Sequence, residues 1–170
     1  MAKWMLNRLG LLNFWYYDEE EFPLADGKLL LRGGNGSGKS VTMQSFIPLL
    51  LDGNKSPERL DPFRSRARRL EDYLLLGEDG KNRLDERTGY LYIEFKREGL
   101  DEYITVGMGL RARTRRPMDF WGFSITDGRR INRDMTLQNG GIPLNKRELR
   151  ELVGQGGKVV ETQSEYMEMV

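Results

Sequence analysis

The sequence predicts an α/β fold, and three observations carry that prediction. Residues 28–51 run as a short apolar strand, a glycine-rich loop and a mostly apolar helix. From Thr88 to Thr126 the apolar period changes to two, the period of strands with one buried face. Helix-start signals then stand at Asn145 and Thr162. At 170 residues the chain has about the length of one domain, and residues 1–170 are read as one.

Taken in order, Leu9 to Tyr17 is apolar and aromatic, which favours a strand. Asp18-Glu19-Glu20-Glu21 reads as an exposed hairpin loop, and Phe22-Pro23-Leu24 begins the returning strand. Ala25-Asp26-Gly27-Lys28 is a turn signal, and Lys28–Leu31 a short buried strand. The helix after the glycines, Val41–Leu51, contains Pro48, which should kink it. Met43, Phe46, Ile47 and Leu50 share one helical face and read as core. A loop at Ser56–Phe63, a helix at Arg64–Leu76 and a polar loop at Gly77–Asn82 follow. Tyr90–Phe95, Glu102–Leu110 and Phe120–Thr126 are three strands of an antiparallel sheet, the first two joined through Arg97-Glu98-Gly99. Asp127-Gly128 is a hairpin-turn signal. Asn145 caps a helix over Lys146–Val153, Glu148 completes a capping box, and Gly154 stops it. A last helix spans Thr162–Met169 and is still periodic where the sequence ends, which suggests a longer protein.

The glycine loop is Gly33-Gly34-Asn35-Gly36-Ser37-Gly38-Lys39-Ser40, two glycines five apart followed by Lys and Ser. Residues without Cβ atoms let backbone N–H groups converge on a phosphate. The helix starting near Lys39 directs its free N–H groups and positive dipole end at the same anion. Lys39 is suited to the β- and γ-phosphates, and the Ser40 hydroxyl to Mg²⁺. The expected ligands are therefore ATP and Mg²⁺, with Gly33, Gly34, Asn35, Gly36, Ser37, Gly38, Lys39, Ser40 and Val41 as the binding set.

Composition excludes other chemistries. Without cysteine there is no disulfide or thiolate metal site, and without histidine no imidazole base or ligand. No 18-residue apolar run is present and the N-terminus lacks a signal-peptide pattern, so a cytoplasmic protein without a membrane helix is expected. The balance of 27 basic and 26 acidic residues, net +1, predicts no polyanionic partner by itself.

Leu12-Asn13-Phe14-Trp15, the acidic hairpin, the Gly33–Ser40 loop and Met43–Gly53 together resemble the N-terminal head segment of SMC-like ATPases, nearest the MukB-type and Wadjet JetC-type proteins. The resemblance is dense over residues 5–55 and looser over the β-rich stretch and the helices beyond. It implies the ABC-class P-loop fold: an N-terminal lobe with an antiparallel β-rich arm and peripheral helices. The implied partners are a C-terminal lobe beyond a long coiled coil, a second head joined by homodimerisation around ATP, kleisin-like and accessory subunits, and double-stranded DNA. Chromosome condensation and plasmid defence share this head, and the implied place is the nucleoid. Asn35 then stands near the γ-phosphate, and one of Phe14, Trp15, Tyr16 and Tyr17 could stack on adenine, although core packing suits most of them better. A stand-alone P-loop phosphotransferase and a nucleotide-binding regulatory module are the alternatives.

The parts that complete an ABC-class ATPase are missing from this segment. There is no Leu-Ser-Gly-Gly-like signature, no apolar run ending in Asp-Glu, and no Gln between Gly80 and Arg87, where related heads place one. Glu94 reads as a carboxylate on the solvent face of its strand and Asp127 as a turn residue, so no catalytic residue is expected here and the chain alone should bind nucleotide weakly and hydrolyse little. Three basic clusters stand out. The first is Arg64, Arg66, Arg68 and Arg69; the second is Arg111, Arg113, Arg115 and Arg116; the third is Arg129, Arg130 and Arg133. Each is a solvated face balanced by nearby acids, a phosphate-backbone surface, or a set of arginines near the nucleotide or a partner protein; the first two clusters are the candidate DNA contacts.

Overall fold

The computed structural model describes residues 3–14, 17–25, 28–29 and 86–169. They form an α/β fold dominated by an antiparallel sheet with few helices. The strands are β1 (Trp4–Phe14), β2 (Tyr17–Ala25), β3 (Lys28–Leu29), β4 (Glu86–Arg97), β5 (Tyr103–Arg113), β6 (Asp119–Ile125), β7 (Gln138–Asn139), β8 (Ile142–Pro143) and β9 (Gly157–Val160). Seven of them make one sheet in the order β3-β2-β1-β4-β5-β6-β9, antiparallel at every step. The small hairpin of β7 and β8 stands apart from it. The helices are α1 (Lys146–Val153) and α2 (Gln163–Met169).

The three strands expected between Tyr90 and Thr126 are present: the first extends at both ends to Glu86–Arg97, the second runs on to Arg113, and the third lies one residue earlier, at Asp119–Ile125. The capping box of α1 is also as expected: the Glu148 amide donates to Asn145 Oδ1 at 2.8 Å and the Asn145 amide to Glu148 Oε1 at 3.1 Å. Gly154 ends α1 with φ of 53°. Thr162 caps α2, accepting from the Glu165 amide at 3.1 Å.

Several expectations are corrected. β1 starts at Trp4 rather than Leu9. Asp18–Glu21 is not a loop: these residues lie in β2, with Glu19, Glu20 and Glu21 opposite Leu12, Leu11 and Gly10. A β-strand presents alternate residues to one face, so an acidic run can pair by its backbone while the Glu21 carboxylate is held by side chains from elsewhere in the fold. Asp127-Gly128 follows β6, with Gly128 at φ of 90°, but forms no hairpin. Asp127 instead accepts from the Arg129 amide and Nε, and the chain leaves across the sheet; β9, after α1, is the neighbour of β6.

The two faces of the sheet are packed differently. One is aliphatic: Leu9, Leu11, Leu91, Ile93, Met108 and Leu110 are buried there, and α2 brings Tyr166 against Gly122. The other carries Tyr90, Tyr92, Trp121 and Phe123, covered by Ile131, Met135 and Leu137 and by Leu149 and Val153 of α1. Here aromatics face glycines across the strands: Tyr92 opposite Gly10, Phe123 opposite Gly107 and Trp121 opposite Gly109. A Cβ on Gly107 would lie 2.5 Å from Phe123 Cζ and 2.6 Å from the Leu91 carbonyl oxygen, so the rings lie flat only because the glycines leave room.

Candidate functional site

Several residues singled out in the sequence lie outside the described residues. They are the nucleotide-loop residues Gly33–Val41, the first basic cluster of Arg64, Arg66, Arg68 and Arg69, and Trp15 and Tyr16. Only the backbone of Phe14 and Tyr17 is described. What is described next to the loop is its approach. Lys28 and Leu29 form strand β3, paired with Ala25 and Leu24 of β2, and Gly33 follows Leu29 by four positions. Among the described residues no three His, Cys, Asp or Glu side chains come together as a metal site. No helix of the described residues is long and apolar enough to cross a membrane.

The second basic cluster is at one end of the sheet. Arg111 pairs with Glu86 across β4–β5, and Arg113 with Asp119 at 3.2 Å across the β5–β6 turn. Arg115 and Arg116 are exposed in that turn, Arg115 with φ of 63°. Beside them an open groove of about 560 Å³ runs past Glu86, Arg111, Asp119, Trp121, Lys146 and Arg147. Acids answer Arg111 and Arg113, so the outward positive charge of the cluster belongs chiefly to Arg115 and Arg116.

The third cluster turns inward. Arg129 donates to the Leu152 and Val153 carbonyls at 2.7 Å each, closing the C-terminal end of α1, where a cation is favoured. Arg130 and Arg133 belong to a charge ring with a buried centre and an exposed edge at Arg133, of which the sequence gives no direct sign. Its centre is Glu94, which is fully buried rather than on a solvent face. A bulge in β1 between Leu6 and Arg8 puts two residues against Glu94. Asn7 Nδ2 donates to Glu94 Oε1 at 2.8 Å, and Arg8 Nη2 to Oε2 at 2.7 Å. Arg130 grips the same carboxylate bidentately at 3.0 and 2.9 Å, with its guanidinium 4.0 Å above the Tyr103 ring. Arg8 Nη1 continues to Glu21 at 2.7 Å, and Glu21 accepts from Asn132 at 3.1 Å and Arg133 at 3.3 Å. Arg8 Nη2 also donates to the Ile131 carbonyl at 2.8 Å.

Burial alone would raise the carboxyls of Glu94 and Glu21. For Glu94, hydrogen bonds from Arg130 and Asn7 and the charge of Arg8 outweigh it; for Glu21, the Asn132 hydrogen bond and the Arg8 and Arg133 charges do. Both are held below the ordinary carboxylate range, so at neutral pH they are anions engaged with cations. A proton-transferring or metal-orienting role would need a free lone pair directed at a ligand, and Glu94 is saturated by three donor side chains. Asp127 is likewise engaged, with Arg129.

The ring holds residues 126–145, a strap between β6 and α1, onto the aromatic face. The far end of the strap is pinned as well: Tyr90 Oη donates to the Leu144 carbonyl at 2.6 Å and accepts from Trp121 Nε1 at 3.3 Å. The only trace of the ring in the sequence is a lone Glu amid an apolar strand and a cluster of arginines 36 positions away, and their pairing depends on the fold. No protein-family model matches the chain, and no curated protein matches it at a significant level.

Proposed function

We propose that this chain is the N-terminal lobe of an SMC-like ATPase head of the ABC class, binding ATP and Mg²⁺ through Gly33–Val41. The observation that carries the reading is the loop Gly33-Gly34-Asn35-Gly36-Ser37-Gly38-Lys39-Ser40 standing four residues after a paired strand, the order this chemistry requires. In the donor set, the amides of the glycine-rich stretch and the Lys39 ammonium answer phosphate charge, and the Ser40 hydroxyl answers Mg²⁺. ATP supplies the phosphoryl chemistry; the groups of this chain bind and orient it. The antiparallel sheet of the described residues is consistent with the β-rich arm of such a lobe.

The described acids Glu94 and Asp127 are engaged structurally, which supports a division of labour in which a C-terminal lobe supplies the hydrolytic carboxylates and a second head completes the site. Kleisin-like and accessory subunits and duplex DNA are the corresponding partners, with the nucleoid as the place of work. Among the described arginines, Arg115 and Arg116 are the proposed DNA contacts, with Arg111 and Arg113 held behind them by acids. Direct titration with MgATP tests the reading. Binding should weaken on Ser40→Ala, and the dependence on Mg²⁺ should flatten with it. Nucleotide binding unaffected by Mg²⁺ and by Ser40→Ala would overturn it.

A further inference from the structure

From Asp127 to Leu144 the strap lies on the sheet with no backbone ladder to it among the described residues. Its backbone bonds stay inside it. The Arg133, Asp134 and Met135 amides donate to the Arg130 carbonyl, the Asn132 amide to the Met135 carbonyl at 2.6 Å, and the Leu144 amide to the Leu137 carbonyl at 2.8 Å. Side chains make the attachment instead. Arg129 pins one end to the Leu152 and Val153 carbonyls, and Tyr90 pins the other through the Leu144 carbonyl. Between the pins, Ile131, Met135 and Leu137 rest on the aromatic face, and the polar hold runs chiefly to two carboxylates, Glu94 and Glu21. A segment without a ladder to its neighbours can open while they stay folded.

The groups around the two carboxylates differ in whether they belong to the strap. Glu94 meets Asn7 and Arg8 of β1 and Arg130 of the strap, with Thr105 its cross-strand neighbour on β5. Arg130 in turn lies over Tyr103, whose ring has Lys96 5.9 Å from its centroid, and its amide donates to Asp134. Glu21 meets Arg8 of β1 and Asn132 and Arg133 of the strap. Lifting the strap removes Arg130, Asn132 and Arg133 and leaves Asn7 and Arg8. The two carboxyls then bind protons more readily in the open form than in the closed one, so acid favours opening. Both are depressed below 4.5 in the closed form; closure is complete above that value and is lost as pH falls through the closed-form values.

We propose that residues 130–137 are an acid-released latch: protonation of Glu21 and Glu94 frees Arg130, Asn132 and Arg133, and the segment lifts from the aromatic face while the seven-stranded sheet stays folded.

The sequence holds no cysteine, so one introduced thiol reports on one place. Met135→Cys sets it under the latch, and Met108→Cys sets it in the centre of the sheet, where Met108 is fully buried. Leu137→Cys is a second probe under the latch, in case the first substitution loosens it. Labelling of each full chain by dithiodipyridine, a disulfide that still reacts with thiols in acid, is followed from neutral pH down through the carboxylate range. Each rate is divided by that of free cysteine under the same conditions, and circular dichroism confirms that the sheet persists. Labelling at 135 and 137 should accelerate as pH falls below 4.5, by up to about tenfold per pH unit for each carboxyl that gains a proton on opening, while position 108 stays protected. Adding Glu21→Gln should speed labelling at 135 at neutral pH and make its pH profile shallower. Labelling of 135, 137 and 108 in step would overturn the latch as a separate unit. Labelling at 135 and 137 that ignores pH, or a profile unchanged by Glu21→Gln, would overturn the role of the carboxylates.

Discussion

The aliphatic and aromatic faces of the sheet bury comparable side chains and solve different problems. On the first face, Leu91, Ile93, Met108 and Leu110 exclude water, and any apolar element of the right volume would satisfy them. On the second, Glu94 sits buried among Asn7, Arg8 and Arg130 and accepts one arrangement of donors. Apolar burial drives the sheet to form, while the charge ring selects which segment lies across it and in what register. A buried ion cluster of this kind adds little net stability over an apolar replacement, yet removing one member is costly.

That contrast can be broken most severely at Glu94. Glu94→Ala leaves Arg8 and Arg130 facing each other without their anion and should cost about 3–5 kcal/mol, read by urea denaturation. Leu91→Ala on the other face should cost a similar amount, about 2–5 kcal/mol. Acid separates the two. The Glu94 and Glu21 carboxyls have folded-state pKa values depressed below the ordinary 4.5, so their contribution is complete above that value and lost as pH falls through the folded values. The gap between wild type and Glu94→Ala should therefore close in acid, whereas the Leu91→Ala gap should persist. A Glu94→Ala deficit independent of pH would remove the distinction between the faces.

A smaller effect is expected at the glycine–aromatic pairs. Gly107→Ala should cost about 1–3 kcal/mol, because the new methyl meets Phe123 on one side and strand backbone on the other. Thermal denaturation measures it, and a neutral outcome would mean that Phe123 has room to move. Asn145→Ala removes the cap of α1 and should cost about 1 kcal/mol. Smallest is Arg115→Ala, within about 0.5 kcal/mol in stability because its side chain is exposed. If the turn arginines meet DNA, the same change should lower affinity and reduce the salt slope by about one unit.

How legible these regions are in the sequence follows the range of the forces involved. The three central strands and the capped helix are readable because period-two patterning and the Asn145–Glu148 box are local. The hairpin of Phe14 and Tyr17 is readable in kind, but the polarity of Asp18–Glu21 imitates a loop and draws the expected turn away from its place. Glu94 reads as solvent-facing because one carboxylate between Ile93 and Phe95 carries no local sign of Arg130. The short edge strand Gly157–Val160 escapes sequence reading for the same reason: four residues specify little until Gly122–Ile125 lies beside them. The candidate site divides likewise. Its phosphate-loop chemistry is a local pattern, whereas the charge ring includes contacts between residues 111 and 112 positions apart.

The central claim is that Gly33–Val41 binds MgATP through Lys39. The most direct measurement is the thermal stability of wild type and Lys39→Ala across a MgATP series. A ligand bound only by the folded chain stabilises it by about 2.7 kcal/mol at a hundred times its Kd. The account predicts a concentration-dependent rise in Tm for the wild type and none for Lys39→Ala, with equal Tm values in the absence of nucleotide. Equal rises in both, or none in the wild type, would contradict it.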